Sequence, residues 1–205
     1  MKSDVIRLAA ISGSLRAESA NTAVLRSLQD AMPSGVAMEL LAIDALPHYN
    51  QDLDGVAPPP AVAAFKQAIC AADGLVICTP EYNFGVPGVL KNALDWASRP
   101  AFASPLKGKP VLMMSASPAF TGGARAHSQL RETLVGALAR VIARPPVVIA
   151  AVHTKLQQGR LADEPNLKFA LEATADLVAE IQLARDAAAW RASHATAAIG
   201  AFATL

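Results

Sequence analysis

Short, largely apolar runs recur along the chain, separated by longer stretches whose apolar residues repeat every three to four positions. This alternation restricts the fold to a parallel sheet wrapped by helices. The runs fall at 5–11, 36–43, 75–79, 110–116 and 147–152. Several are apolar throughout, as strands buried on both faces should be. Between them, Leu90, Ala93, Leu94 and Ala97 share one helical face, with Pro87 near the first turn. Leu130, Leu134, Leu138 and Val141 predict a second stripe, and Leu167, Leu171, Thr174, Val178 and Ile181 a last helix from about Asn166. The prolines at 58–60 and 145–146 punctuate the chain but are too short to be domain linkers. No internal repeat is visible. One domain over 1–192 is expected from the length of 205 residues, followed by an apolar tail over 193–205. That tail, uncharged from Ala195 on, either covers a neighbouring subunit or is loose.

Composition narrows the function. Hydrophobic residues make up 53% and charged residues 17%, yet much of the excess is Ala, which favours helices and close packing. No apolar stretch approaches the roughly 20 residues that span a bilayer. Lys2, Asp4 and Arg7 interrupt the first apolar run, which is unlike a signal-peptide core, so a cytoplasmic protein is expected. A net charge of +1 argues against a nucleic-acid surface and against an acidic docking face for a redox partner. Cys70 and Cys78 have neither a disulfide nor a metal spacing and read as two small buried hydrophobes.

The loop after the first run carries the densest chemistry. It reads Ser12-Gly13-Ser14-Leu15-Arg16-Ala17-Glu18-Ser19-Ala20-Asn21-Thr22 and leads into a helix. Ligands of open α/β sheets sit beyond the carboxyl ends of the strands near a switch point. A helix N-terminus there presents unpaired N–H groups and about half a positive charge. Ser14, Ser19, Asn21 and Thr22 add short polar side chains and Arg16 a full charge, a set suited to a terminal phosphate. Helix capping alone needs only one such residue. The three-glycine dinucleotide fingerprint and the Gly-Lys-Ser/Thr triphosphate loop are both absent, and this loop contains no cysteine for a thiolate phosphatase.

Two further loops are suited to a ligand. Thr79-Pro80-Glu81-Tyr82-Asn83-Phe84-Gly85-Val86-Pro87-Gly88 is dense in turn formers and offers two aromatics to flank a flat ring. Ser115-Ala116-Ser117-Pro118-Ala119-Phe120-Thr121-Gly122-Gly123-Ala124-Arg125 carries a Gly pair that permits positive φ or close backbone approach.

With these residues in view, the chain resembles the NAD(P)H-dependent FMN reductase family of flavodoxin-like proteins, which includes quinone, chromate and azo-dye reductases. The resemblance lies in Gly13-Ser14-Leu15-Arg16 with Ser19 and Asn21, and in Pro80-Glu81-Tyr82-Asn83 with Pro87-Gly88, Leu90-Lys91-Asn92-Ala93 and Asp95-Trp96. Ser117 and Gly122-Gly123-Ala124-Arg125 complete it, and Leu46-Pro47-His48-Tyr49-Asn50-Gln51-Asp52 resembles the loop after the second strand. It implies a three-layer flavodoxin-like sandwich with a five-stranded parallel sheet in order 2-1-3-4-5, noncovalent FMN, and NADPH or NADH as donor. Ser14, Leu15, Arg16, Ser19, Asn21 and Thr22 are then expected around the FMN phosphate. Pro80, Glu81, Tyr82, Asn83 and Phe84 border the flavin ring, with Ser117 on its other side. It further implies a homodimer or homotetramer whose flavin sites lie at subunit contacts, where Tyr49 or His48 approaches a neighbour's site. Ala119 stands where a Gly is expected, and His127 where a Gln is usual. The first is expected to narrow backbone access near the flavin, and the second to sit on a helix face.

The implied activity is reduction of small acceptors such as quinones, free flavins, azo dyes or chromate by ping-pong hydride transfer. The protein supplies binding and orientation, so no catalytic side chain and no metal ligand is assigned. The rival reading is a flavodoxin-like electron carrier that needs a partner reductase.

Overall fold

The computed structural model describes residues 5–55 and 57–202. The chain runs β1 (Ile6–Ser12), α1 (Ala20–Asp30), β2 (Val36–Leu41), α2 (Pro60–Ala71), β3 (Gly74–Thr79), α3 (Gly88–Ala97) and β4 (Pro110–Ala116). It continues through α4 (Ala126–Gly136), β5 (Arg140–Val141), β6 (Val147–Ile149), a small hairpin of β7 (Leu156–Gln157) and β8 (Arg160–Leu161), and α5 (Glu164–Phe202).

The main sheet is parallel in the order β2-β1-β3-β4, and β5 and β6 share the fifth position beside β4. The expected order therefore holds, but the fifth strand begins earlier than its sequence suggests and is broken in two. Val111 pairs with Val141 and Met114 with Val147. Between the two pieces lie Pro145 and Pro146, which have no N–H to give a ladder. The run expected to reach 152 stops at Ile149, because Ala151 adopts a left-handed φ of 48°. The stripe drawn from Leu130 to Val141 also ends early. Helix α4 stops at Gly136, Leu138 turns with φ 63° and Val141 joins β5.

Alternate strand residues face opposite helical layers, the period-two geometry of a pleated strand. Leu8, Ala10, Val76 and Met114 pack under α1 and α5, whereas Ala9, Ile11, Leu75, Ile77 and Met113 pack under α2, α3 and α4. Strands β3 and β4 are buried along their whole length, which explains their unbroken apolar sequence. In α1, Val24, Leu25 and Leu28 supply the buried face, each side chain contributing about 1.5–3 kcal/mol through burial. Helix α5 approaches closely because Ala170, Ala173 and Thr174 are small, and Ile181 fills the space where a Cβ on Gly74 would stand. The Arg185–Asp73 ion pair, at 2.7 Å, secures the helix to the end of the sheet.

Beyond Arg185 the side chains through His194 are exposed, and the helical backbone passes through positions 192 and 193 without a break. A covering role for side chains from Ala195 onward lies outside the described residues. Cys78 is buried as expected, but Cys70 is exposed, because it falls on the solvent side of α2 opposite Val62, Phe65 and Ile69.

Candidate functional site

In the order β2-β1-β3-β4 the chain reverses direction of travel between β1 and β3, so the carboxyl ends of these strands form the switch point. The loops after β1, β3 and β4 stand there side by side. Direct bonds join them. Gly13 donates its N–H to the Cys78 carbonyl at 2.8 Å. A Cβ at Gly13 would stand 2.5 Å from Thr79 Oγ1, so only glycine lets the first loop leave the sheet here. The Arg125 N–H donates to Glu81 Oε2 at 3.0 Å, and the Val86 N–H to Gln129 Oε1 at 2.7 Å.

The first loop divides into a support and an open rim. Ser19 caps α1, its Oγ accepting the Thr22 N–H at 3.3 Å. The Thr22 hydroxyl donates to Ser12 Oγ at 2.8 Å, which in turn donates to the Ser14 carbonyl at 3.4 Å. Asn21 departs from expectation. Its buried amide donates to the Ala116 carbonyl at 3.1 Å, accepts the Ala116 N–H at 3.2 Å, and accepts the Cys78 thiol at 3.1 Å. Burial alone pushes that thiol well up in pKa, so it stays a protonated donor. The side chains of Asn21 and Thr22 are therefore turned inward to hold strand ends together, not outward as loose ligand donors.

Above them Leu15, Arg16, Ala17 and Glu18 are exposed. Among the described residues, the N–H groups of Leu15, Ala17, Glu18, Ala20 and Asn21 have no hydrogen-bond partner, and Arg16 has no ion-pair partner. Ser14 Oγ accepts the Arg16 N–H at 3.4 Å. Unpartnered amide donors, a helix start and a guanidinium at one rim form an anion-binding arrangement.

The second loop is a two-residue turn. Tyr82 and Gly85 exchange both backbone hydrogen bonds at 3.0 Å, and Asn83 and Phe84 both have positive φ, 50° and 67°. Asn accepts that conformation readily, whereas Phe does so at a cost of about 1–2 kcal/mol. The ties to Arg125 and Gln129 hold it. Pro80 is buried, Glu81 half-buried, and Tyr82, Asn83 and Phe84 are exposed at the rim. The Phe84 ring lies 4.5 Å from the Arg125 guanidinium.

In the third loop, Ser117 is held by Ile149 and Val152 through its backbone, and its Oγ accepts the Ala119 N–H at 3.2 Å. Ala119 is exposed and has no positive φ, so the absent glycine costs no backbone strain. Gly122 and Gly123 have φ of 61° and 85°, and a Cβ on Gly122 would collide with Val148. His127 is more than a helix-face residue. Its Nε2 lies 3.0 Å from Ser115 Oγ, and burial, assisted by the charge of Arg131, lowers its pKa.

His48 is exposed, while Tyr49 packs edge-on against Trp96 with centroids 4.9 Å apart and its backbone N–H donates to Asn92 Oδ1 at 2.7 Å. Pro47 accepts both Trp96 Nε1 and Asn92 Nδ2, so this loop is clamped onto α3 of its own chain. Gln129 carries no mark in the sequence, and Thr79 is marked there only as the first residue of the second loop. A helical Gln and a strand-end Thr carry no motif, and only their contacts with Gly85 and Gly13 single them out. Two clefts, of about 380 and 280 Å³, lie away from these loops, at the break between β5 and β6 and between the ends of α3 and α4. Among the described residues no group of three His, Cys, Asp or Glu side chains is placed to hold a metal, and no helix is long and apolar enough to cross a membrane.

Comparison with known proteins adds four findings. The sequence profile described as NADPH-dependent FMN reductase matches residues 6–154. An NAD(P)H-dependent FMN reductase of Pseudomonas aeruginosa is 44% identical over 163 residues, covering 79% of this chain and 88% of that protein. A quinone reductase of Escherichia coli is 39% identical over 169 residues, covering 80% and 89%. The solved structure of a flavoenzyme NAD(P)H:(acceptor) oxidoreductase from Paracoccus denitrificans aligns with a TM-score of 0.73 at 32% identity, covering 89% of this chain and 98% of that one.

Proposed function

The chain belongs to the NADPH-dependent FMN reductase family, and on that premise we propose that it is an FMN-dependent enzyme that oxidises NADPH or NADH and reduces small acceptors, quinones foremost. The observation that carries this reading is the rim after β1, where exposed Arg16 stands among N–H groups that have no partner in the described residues. That set suits the dianionic phosphate of FMN in charge and in donor count.

In this reading Ser14, Leu15, Arg16, Ser19, Asn21 and Thr22 form the phosphate end. Arg16 supplies charge, Leu15 and Asn21 supply N–H groups, and Ser19 and Thr22 keep the loop and helix start in place. Pro80, Glu81, Tyr82, Asn83 and Phe84 border the flavin ring on one side and Ser117 on the other. The turn at Asn83 and Phe84 is fixed before any ligand arrives, which limits the ordering cost of binding. Bound flavin supplies the chemistry, accepting a hydride equivalent from the nicotinamide and returning electrons to the acceptor. The chain binds, orients and shields, and no side chain is assigned a proton-transfer or nucleophilic role.

A homodimer or homotetramer in the cytoplasm belongs to the same reading. Support for assembly comes from Tyr82, Phe84 and Phe120, which are 52–91% exposed in the second and third loops.

Fluorescence titration with FMN tests the core of the proposal. Arg16→Ala is expected to lower FMN affinity roughly 10- to 150-fold, the weight of a charge-assisted hydrogen bond, with little change in melting temperature. Equal affinity in both proteins overturns the phosphate assignment. Anaerobic NADPH or NADH should bleach the bound flavin, and failure of both favours an electron carrier instead.

A further inference from the structure

Resting on the flavin reading above, a second cation at the same rim calls for a role. We propose that Arg125, backed by Phe84, is the docking point for a phosphate group of the dinucleotide donor. Six other Lys and Arg side chains pair with carboxylates, those of Lys66, Lys91, Arg140, Arg144, Arg160 and Arg185. Arg125 is exposed, and among the described residues no carboxylate lies within ion-pair distance of its guanidinium. The nearby Glu81 carboxylate instead accepts the Arg125 backbone N–H at 3.0 Å. It anchors the root of the side chain without recording an ion pair to its charge.

The rest of the side chain is positioned too. The guanidinium carbon sits 4.5 Å from the centre of the Phe84 ring. Stacking of this kind occupies a flat face of the guanidinium and leaves its edge, with the N–H fork, open to a phosphate. Phe84 sits in the Tyr82–Gly85 turn at φ 67°, a conformation costly to a side chain with a Cβ. Retained strain of that sort concentrates at binding surfaces. Gly123, at φ 85°, brings the start of α4 near the second loop, since a Cβ there would lie 3.6 Å from Glu81 Cβ.

Charge selects the ligand. Arg16 meets the cofactor phosphate on the loop after β1, while Arg125 belongs to the loop after β4, a strand two spacings, or about 10 Å, across the sheet from β1. Quinone acceptors carry no charge. With a quinone as acceptor, the further phosphates come from the donor, namely its diphosphate and, in NADPH, a 2′-phosphate.

The test compares wild type, Arg125→Ala and Arg125→Lys as FMN-loaded proteins, with NADPH, NADH and 1-benzyl-1,4-dihydronicotinamide, a donor that lacks phosphate. Calorimetric titration with NADP⁺ and NAD⁺ gives binding apart from turnover, FMN titration reports the cofactor site, and gel filtration reports assembly. Arg125→Ala is expected to raise the dinucleotide KM and Kd roughly 10- to 100-fold. The ratio of kcat/KM for dinucleotide over benzyl donor should fall by the same factor, with partial recovery in Arg125→Lys. Equal effects on NADH and NADPH assign the diphosphate, and an effect on NADPH alone the 2′-phosphate; both support the proposal. An unchanged ratio, or a KM change that tracks a change in assembly, overturns it. Wild-type protein that binds no FMN overturns the flavin reading and the inference together. Wild-type protein that binds FMN and oxidises the benzyl donor, with dinucleotide constants indifferent to Arg125, overturns the inference alone.

Discussion

Replacing Asn21 by Ala separates holding the site together from binding its ligand. In the folded chain the Asn21 amide satisfies both the N–H and the carbonyl of Ala116, at 3.2 and 3.1 Å, and also accepts the Cys78 thiol. The residue is 3% exposed, so water does not readily replace it. Alanine leaves two buried backbone groups without their partner, each costing about 1–3 kcal/mol. The sum, roughly 2–6 kcal/mol, is large beside a typical domain stability of about 5–15 kcal/mol. For a chain of this size one kcal/mol moves the melting point by about 2–4 °C, so a fall of roughly 4–24 °C is expected. Thermal unfolding followed by circular dichroism reads it directly. FMN titration at a temperature where both proteins stay folded should show a smaller loss than Arg16→Ala produces. A melting point within about 2 °C of wild type refutes the structural role. So does a variant whose FMN affinity collapses while its stability holds.

Two further perturbations probe the same architecture. Phe84→Gly relieves about 1 kcal/mol of left-handed strain but loses a cation–π contact of about 0.5–1 kcal/mol, leaving stability within roughly 1 kcal/mol of wild type. Phe84→Ala keeps most of the strain and loses the contact, so it should be the less stable in urea unfolding; equal midpoints for the two variants contradict the strain argument. At Asp73, burial pushes the carboxyl pKa up. The hydrogen bond from Arg185, the Arg7 N–H, and the charges of Arg185 and Lys109 outweigh it and bring the value below the ordinary range. A lowered folded pKa means stability that is present above the unfolded value of about 3.9 and lost as pH falls through the folded one. Asp73→Asn should therefore cost about 1–2 kcal/mol at pH 7, discounted for partial exposure, and the gap to wild type should close below about pH 4. A gap of equal size at pH 3 and pH 7 counts against the assignment.

Much of this was legible in the residues. Runs such as 75–79 and 110–116 had to be central parallel strands, because nothing in them could face water. Gly13-Ser14-Leu15-Arg16 at a strand end pointed to an anion, because short donors and a full charge gathered where a helix begins. Less legible were the broken fifth strand, where 140–141 is too short to show a period, and the end of α4, where Leu138 continues the apolar stripe while its backbone turns away. Cys70 misled because an Ala-rich helix offers few large residues to reveal which side faces the core.

The chain's own chemistry, then, determined the layers and the place of the site, while the strand order followed from the family resemblance. Burial on two faces and the crossover from β1 to β3 leave few alternatives. Tertiary structure decided what each polar group at that place does. Asn21 and Arg16 are equally polar in sequence and five positions apart. Asn21 meets the Ala116 backbone, 95 residues away, and becomes part of the frame, whereas Arg16 meets no carboxylate within ion-pair distance and stays available to a ligand. A hydrogen bond is made to whatever lies within about three ångströms, and only the folded backbone brings distant atoms that close.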